Sequence, residues 1–256
     1  MAFIPATSAT LGGSRTAGSE SFHAPDNAVT LRAFYLDRHE VTAGAYAACV
    51  AAGVCPPPNV TDCTVVAGLA YGIVGRENHP MSCVTYDEAA RYCQFVHKRM
   101  PTGPEWEVAL RGPKLSTFPW GDDLPAMGRT NACDRRCTTE ASAATGSNYL
   151  PVWSDHDYDD GWAFSAPVGA FAGDVSAYGV FDLAANVAEW VDPKGEDSNL
   201  GGAIAWAPQG QAQGMKQIRG GSWATNVFST MTYAGRDQVD GAFRGAWVGF
   251  RCARDS

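Results

Sequence analysis

Cysteine and carboxylate are the side chains best equipped for chemistry in this chain, and their spacing separates the chemistries open to them. Eight cysteines stand at Cys49, Cys55, Cys63, Cys83, Cys93, Cys133, Cys137 and Cys252. No Cys-x2-Cys pair occurs among them, and His23, His39, His79, His97 and His156 form no ligand-spaced pair, so a zinc site is disfavoured. The even count reads as disulfides, which places the chain in an oxidising compartment: secreted, periplasmic or cell-surface. Cys133 and Cys137 are near enough in sequence to close a small local loop, whereas Cys49, Cys55, Cys63 and Cys83 allow three pairings. The carboxylates suggest a hard cation. Asp182 and Glu189 flank the turn DLAANVAE, and calcium takes oxygen ligands from side chains and carbonyls on a loop that can wrap it. The acidic run 155–160 (DHDYDD) invites an EF-hand reading, but its glycine comes one position late and the twelfth position would be Ala166, so that reading fails.

Something must hold these groups in place. The segment FIP at 3–5 followed by LGGS at 11–14 reads as a short strand and a glycine turn, and 29–36 (VTLRAFYL) as a better strand. Thr42 caps an alanine-rich helix over 43–52, with Gly53 where a left-handed cap belongs. Three prolines at 56–58 and two cysteines mark 55–78 as a loop pinned by disulfides. Thr85-x-x-Glu88 and Thr102-x-x-Glu105 are capping boxes, each opening a helix, with Pro104 tolerated in the first turn of the second. Ala89, Cys93 and Val96 recur at helical spacing, which turns Cys93 to the core. From 118 to 190 periodicity fades into a long run of Gly, Trp, Asp and Asn, a loop organised by something other than secondary structure. Short strands are expected at 217–223 and 247–252.

Three blocks, 79–112 (HPMSCVTYDEAARYCQFVHKRMPTGPEWEVALRG), 179–190 (GVFDLAANVAEW) and 219–223 (RGGSW) leading to 249–253 (GFRCA), resemble the formylglycine-generating enzyme, or sulfatase-modifying factor, family in order and spacing. The start (FIPATSATLGGS) and 37–46 (DRHEVTAGAY) extend the resemblance over nearly the whole chain, 1–256, as one domain. It implies an α+β fold with little regular secondary structure, a distant variant of the C-type lectin fold. It implies two calcium ions: one on the side chains of Asp182 and Glu189 with the carbonyls of Ala185 and Val187, the other on Asn131 and Asp160 with the carbonyls of Ala132 and Trp162. Ala185 departs from the family's usual glycine. The resemblance further implies a Cys93–Cys252 disulfide.

Active members of that family carry a cysteine pair shortly after the Gly-Gly-Ser block, where the thiolates bind copper and oxidise a substrate cysteine to formylglycine. Here no cysteine lies between Cys137 and Cys252, and Cu(I) needs soft sulfur ligands, so neither that chemistry nor copper is expected. Iron-dependent relatives take their ligands largely from a separate helical domain with a His-x3-His-x-Glu motif, which this chain lacks, so iron is not expected either; His39, Glu40 and His79 are read as fold residues. The polar groups left around the old active-site position are Ser222, Thr225, Thr230, Tyr233 and Arg236.

With 27 acidic and 19 basic residues, net charge −8 and no basic run, nucleic acid is not an expected partner. No apolar stretch is long enough for a membrane span, and 1–13 has no basic n-region, so the expectation is no membrane insertion and a chain from which any signal peptide has been removed. The leading functional expectation is an exported recognition module for a carbohydrate, peptide or protein, gripping its ligand with Trp223, Phe228, Tyr233 and Arg236 and neighbouring aromatics Trp206, Phe243 and Trp247, although Trp223 and Trp247, inside strand-like blocks, read more readily as core residues. The alternatives are a metal- and oxygen-dependent oxidoreductase with a rearranged site, and a structural part of a surface assembly.

Overall fold

The structure, a computed structural model, describes residues 1–153, 155–194 and 214–256. In chain order its elements are β1 (Ala2–Ile4), β2 (Thr7–Ala17), β3 (Glu20–Leu31), β4 (Phe34–Leu36), α1 (Ala43–Ala51), α2 (Tyr86–Phe95) and α3 (Gly103–Arg111). After a π-helical turn at Cys137–Ala141 come α4 (Ser142–Thr145), β5 (Ala188–Val191), β6 (Met215–Arg219), β7 (Arg236–Asp240), β8 (Val248–Gly249) and β9 (Ala253–Asp255). Helices are few and, apart from the hairpin strands β2 and β3, the strands are short, so long ordered loops carry much of the described chain.

Among the described residues the strands form a β1-β4-β9 sheet, a β2-β3 hairpin and a β7-β6-β5-β8 sheet, antiparallel except for β5 beside β8. Two sequence expectations about the N-terminal region need correction. Gly12 and Gly13 do not turn the chain; they lie inside β2 where the register with β3 shifts. Gly12 has φ 75° and an added Cβ would meet the Pro25 carbonyl oxygen at 2.0 Å, so glycine here permits a bulge. The reversal falls instead at Gly18, φ 58°. The strand expected over 29–36 is two strands, because the hairpin ends at the Thr7–Leu31 pair and Phe34 then pairs in another sheet with Ile4 and Asp255. The later strands are also shorter than expected: β6 stops before the Gly-Gly pair, and β8 covers only Val248–Gly249.

The helices start where their caps dictate. Thr42 accepts a hydrogen bond from the Ala45 amide at 3.1 Å, and both capping boxes close reciprocally, Thr85 with Glu88 and Thr102 with Glu105. α1 buries Ala43, Tyr46 and Cys49, and α2 buries Tyr86, Ala89, Tyr92 and Cys93. These stripes meet Phe250, Trp190 and Trp223 in one apolar core; Trp106, Phe118, Phe22 and Tyr233 centre a second, beneath the hairpin. Disulfides Cys49–Cys55, Cys63–Cys83, Cys93–Cys252 and Cys133–Cys137 consume every cysteine. Such a set belongs to an oxidising compartment. Among the described residues no helix is long and apolar enough to cross a membrane.

Candidate functional site

β5 carries Glu189 into the centre of the molecule, where its carboxylate is 1% exposed. Arg251, fully buried beside β9, donates to it from Nη2 at 2.6 Å and from Nε at 2.8 Å, and Trp106 Nε1 adds a third donor at 3.0 Å. Asp182 holds φ 61° and accepts the Gly169 amide at 2.6 Å, and its charge acts on the nearby Glu40. Burial, reinforced by the charge of Asp182, pushes Glu40 well above the usual carboxylate range and Asp174 to about 7. Four carboxylates thus surround one guanidinium, and Glu40 Oε2 has no hydrogen-bond partner among the described residues. Excess buried negative charge of this kind is met either by protons or by a cation, so the donor set suits a hard cation, although Arg251 already occupies Glu189. Asn186, at φ 71°, links the region to the second predicted site: its side chain donates to Glu40 Oε1 and accepts from the Asn131 amide nitrogen, both at 3.0 Å.

At that second site the 133–137 disulfide holds a tight turn in which Asp134 Oδ1 accepts the amides of Arg136 and Cys137 at 2.8 and 3.0 Å. Asp134 Oδ2 accepts the Asp160 amide at 2.6 Å, and Asp160 Oδ1 accepts the Trp162 amide at 2.8 Å. Asp160 Oδ2 is buried with no hydrogen-bond partner among the described residues, and burial lifts this carboxyl to about 7. Oxygens of Asp134, Asp159 and Asp160 lie within 4.8 Å of one another, while Arg135 and Arg136 pair with Asp159. An orphaned oxygen among converging carboxylates fits a calcium ion. Asp134 was not among the predicted ligands; its position inside a short cysteine loop, three residues beyond Asn131, is the signal that could have found it. His39 and His79 belong to the packing, His39 stacked on Phe181 and His79 facing Ser165 Oγ at 3.3 Å.

The Gly-Gly-Ser turn after β6 opens onto a cavity of about 340 Å³. Its floor is made of hydroxyls. Thr225 Oγ1 accepts the Ser222 amide at 2.8 Å and lies 3.3 Å from Thr230 Oγ1, and Ser222 Oγ accepts the Ala224 amide at 3.3 Å. Gly221 is required for this approach, since a Cβ there would lie 2.8 Å from Thr225 Oγ1 and 2.7 Å from the Ala184 carbonyl oxygen. Trp247, leading into β8, and Tyr149, following α4, line the walls. Thr64 and Val65 complete the rim, held by the adjacent Cys63–Cys83 disulfide and by a bridge from Thr64 to Gly245. Val65 sits at φ 62°, an uncommon backbone conformation for a β-branched residue.

Of the residues predicted around this position, Ser222, Thr225 and Thr230 line the cavity, but Tyr233 and Arg236 do not. The expected ligand-gripping surface needs the same correction. Trp223 is 1% exposed, packed at 5.0 Å against Phe164, and its Nε1 donates to the Ala246 carbonyl. Tyr233 is fully buried, its hydroxyl donating to the Gly13 carbonyl at 2.9 Å and its ring lying 4.0 Å below the Arg111 guanidinium. Arg236 is buried in β7. Large aromatic and guanidinium groups next to a glycine-rich turn were absorbed by the two cores. Phe228 is half-buried against Trp153, and Phe243 packs on Trp247; Trp206 lies outside the described residues. Tyr149, Ser147, Asn226 and Thr64 reach the cavity from segments that no local pattern connects.

Small sheets, few helices and long ordered loops around a site after a Gly-Gly-Ser turn define a fold of the formylglycine-generating-enzyme type. The chain belongs to the sulfatase-modifying factor family, for the family model of the "Sulfatase-modifying factor enzyme 1-like domain" matches residues 2–256. It is 33% identical over 196 residues to the formylglycine-generating enzyme of Thermomonospora curvata, a match covering 73% of this chain and 59% of that protein. It is 30% identical to the inactive C-alpha-formylglycine-generating enzyme 2 of Bos taurus, over 73% of this chain and 54% of that protein. The chain therefore spans little more than half the length of these two relatives. Among solved structures it resembles PvdO from Pseudomonas aeruginosa, with a TM-score of 0.64, 25% identity and coverage of 99% of this chain and 93% of that one. CarF shares the fold at a TM-score of 0.61 and 19% identity, covering 100% of this chain and 97% of that one.

Proposed function

We propose that this chain is an exported, calcium-stabilised recognition domain of the sulfatase-modifying factor family that lacks thiol-dependent oxidase chemistry. One observation carries the reading: the cavity after the Gly-Gly-Ser turn is floored by the hydroxyls of Thr225 and Thr230, 3.3 Å apart, while all eight cysteines are committed to disulfides. Hydroxyls do not replace thiolates for Cu(I). They do suit reversible binding, in a concave site with aromatic walls and a few convergent polar groups.

Calcium enters the proposal as a structural ion. Asn131, Asp160 and the carbonyls of Ala132 and Trp162, joined by Asp134, would hold one; Asp182, Glu189 and the carbonyls of Ala185 and Val187, with Glu40 close by, would hold the other. When bound, the ions would offset buried negative charge and order the loops between β-strands. The test is elemental mass spectrometry of the purified, non-reduced protein together with a chelation melt. About two calcium ions per chain, a melting temperature that falls on chelation, and loss of one ion in Asp160→Asn are the expected results. Stoichiometric copper or iron would overturn the reading in favour of an oxidoreductase.

A further inference from the structure

We infer that the cavity beneath the Gly-Gly-Ser turn is a site for an uncharged sugar unit. The inference rests on the recognition reading above and narrows it to one ligand class. Its first support is charge. In a chain with 46 acidic and basic residues, none of the side chains lining this cavity is ionisable at neutral pH. A carboxylate, phosphate or ammonium entering it would lose hydration without gaining a counter-charge, which is costly in any enclosed site. Anionic and cationic ligands are thereby selected against.

The second support is the kind of polar group present. Thr64, Ser147, Ser222, Thr225 and Thr230 present hydroxyls and Asn226 an amide. Each of these both donates and accepts hydrogen bonds, as does every hydroxyl of a sugar. The floor is also preorganised: Thr225 and Ser222 are fixed by the Ser222 and Ala224 amides, and Thr230 Oγ1 lies 3.0 Å from the Val227 carbonyl oxygen. Groups held in this way lose little freedom when a ligand arrives.

The third support is the wall. Tyr149 and Trp247 supply aromatic surface, against which the C–H face of a pyranose ring can pack while its hydroxyls turn to the floor. Tyr149 is braced by Trp223, ring centres 5.5 Å apart, and by its amide donating to Ser142 Oγ at 3.1 Å. A cavity of about 340 Å³ is at the small end of ligand sites, with room for roughly one or two sugar rings. A neutral peptide side chain would use the aromatic wall but leave most of these hydroxyls without partners.

Saturation-transfer NMR on the full, calcium-loaded, disulfide-intact chain provides the test. The probes are methyl glycosides of glucose, galactose, mannose and N-acetylglucosamine, compared with glucuronate, glucosamine 6-phosphate and a pool of uncharged hexapeptides. At least one neutral glycoside is expected to bind, ten-fold or more tightly than its charged counterparts, and Tyr149→Ala should weaken it at least ten-fold. Since Tyr149 also braces Trp223, the rim variant Asn226→Asp provides a second reading: with the melting temperature unchanged, it should weaken neutral glycosides several-fold. Binding of the charged sugars as tight as that of the neutral ones would overturn the inference. Hexapeptide binding sensitive to Asn226→Asp with no glycoside bound would overturn it while leaving the recognition reading intact. Absence of any binding sensitive to these variants would overturn both.

Discussion

Asp237 on β7 shows what a carboxylate costs when the fold buries it without a counter-charge. Its Oδ1 accepts the Gln238 amide at 2.8 Å, but Oδ2 is buried with no hydrogen-bond partner among the described residues. Burial raises this carboxyl from 3.8 to about 6. As pH rises the unfolded chain releases this proton before the folded one does, so stability falls from about pH 4 to about pH 6 and then levels off. Asp237→Asn removes this dependence and is expected to stabilise the protein at pH 7 by about 2 kcal/mol. Denaturant melts of the two proteins at pH 4, 6 and 8 check it: equal gains at all three values would mean that titration is not the cause. At this scale the sequence was informative where a residue sits within a recognisable block. Ser222, Thr225 and Thr230 could be placed near a site because they follow Gly-Gly. Trp223 reads as a core residue from its strand-like block, but Tyr233 cannot be separated from the cavity residues, since whether it faces ligand or core depends on a partner, Arg111, 122 positions away in the chain.

The helices were the most legible elements because their start signals are local. A threonine followed three residues later by glutamate satisfies two otherwise orphaned amides wherever it occurs. The two members of such a box need not matter equally. In α3, Glu105 closes the box and also takes both guanidinium nitrogens of Arg99 at 2.7 Å, whereas the Thr102 hydroxyl receives only the Glu105 amide at 3.3 Å. Thr102→Ala should cost about 1 kcal/mol and Glu105→Ala clearly more, because it also deprives Arg99 of a partner. Thermal melts of the two variants settle the order, and a costlier Thr102→Ala would contradict it. Strands were less legible. β7 (RDQVD) has no apolar alternation, with Val239 its one buried aliphatic residue; it is a strand because β6 pairs with it along its whole length. The bulge in β2 looked like a turn because glycine permits both, and only the opposing Pro25 carbonyl distinguishes them. The π-helical turn and α4 are less legible: Asp134 caps this stretch through the Arg136 and Cys137 amides, but the third residue after it is Cys137, so no glutamate or glutamine completes a capping box.

For the molecule as a whole, the chain's beginning and end meet in one small sheet, with β1 and β9 on either side of β4. Just before β9, Cys252 is covalently joined to Cys93 across a sequence separation of 159 residues. That bond has a mechanical consequence. Tension applied between residues 1 and 256 passes directly from α2 to the C-terminal strand, so the intervening chain, with both proposed calcium sites and the floor of the Gly-Gly-Ser cavity, carries no load. At roughly 3.4 Å per extended residue, about 540 Å of contour is hidden behind a single S–S bond. Force spectroscopy of the oxidised protein should therefore show only the short extension of the N-terminal third, and a reductant should release the hidden length. A full-length extension without reductant would contradict the linkage. Under such tension the fold yields in its N-terminal third while the loops around the Gly-Gly-Ser cavity remain slack behind the disulfide.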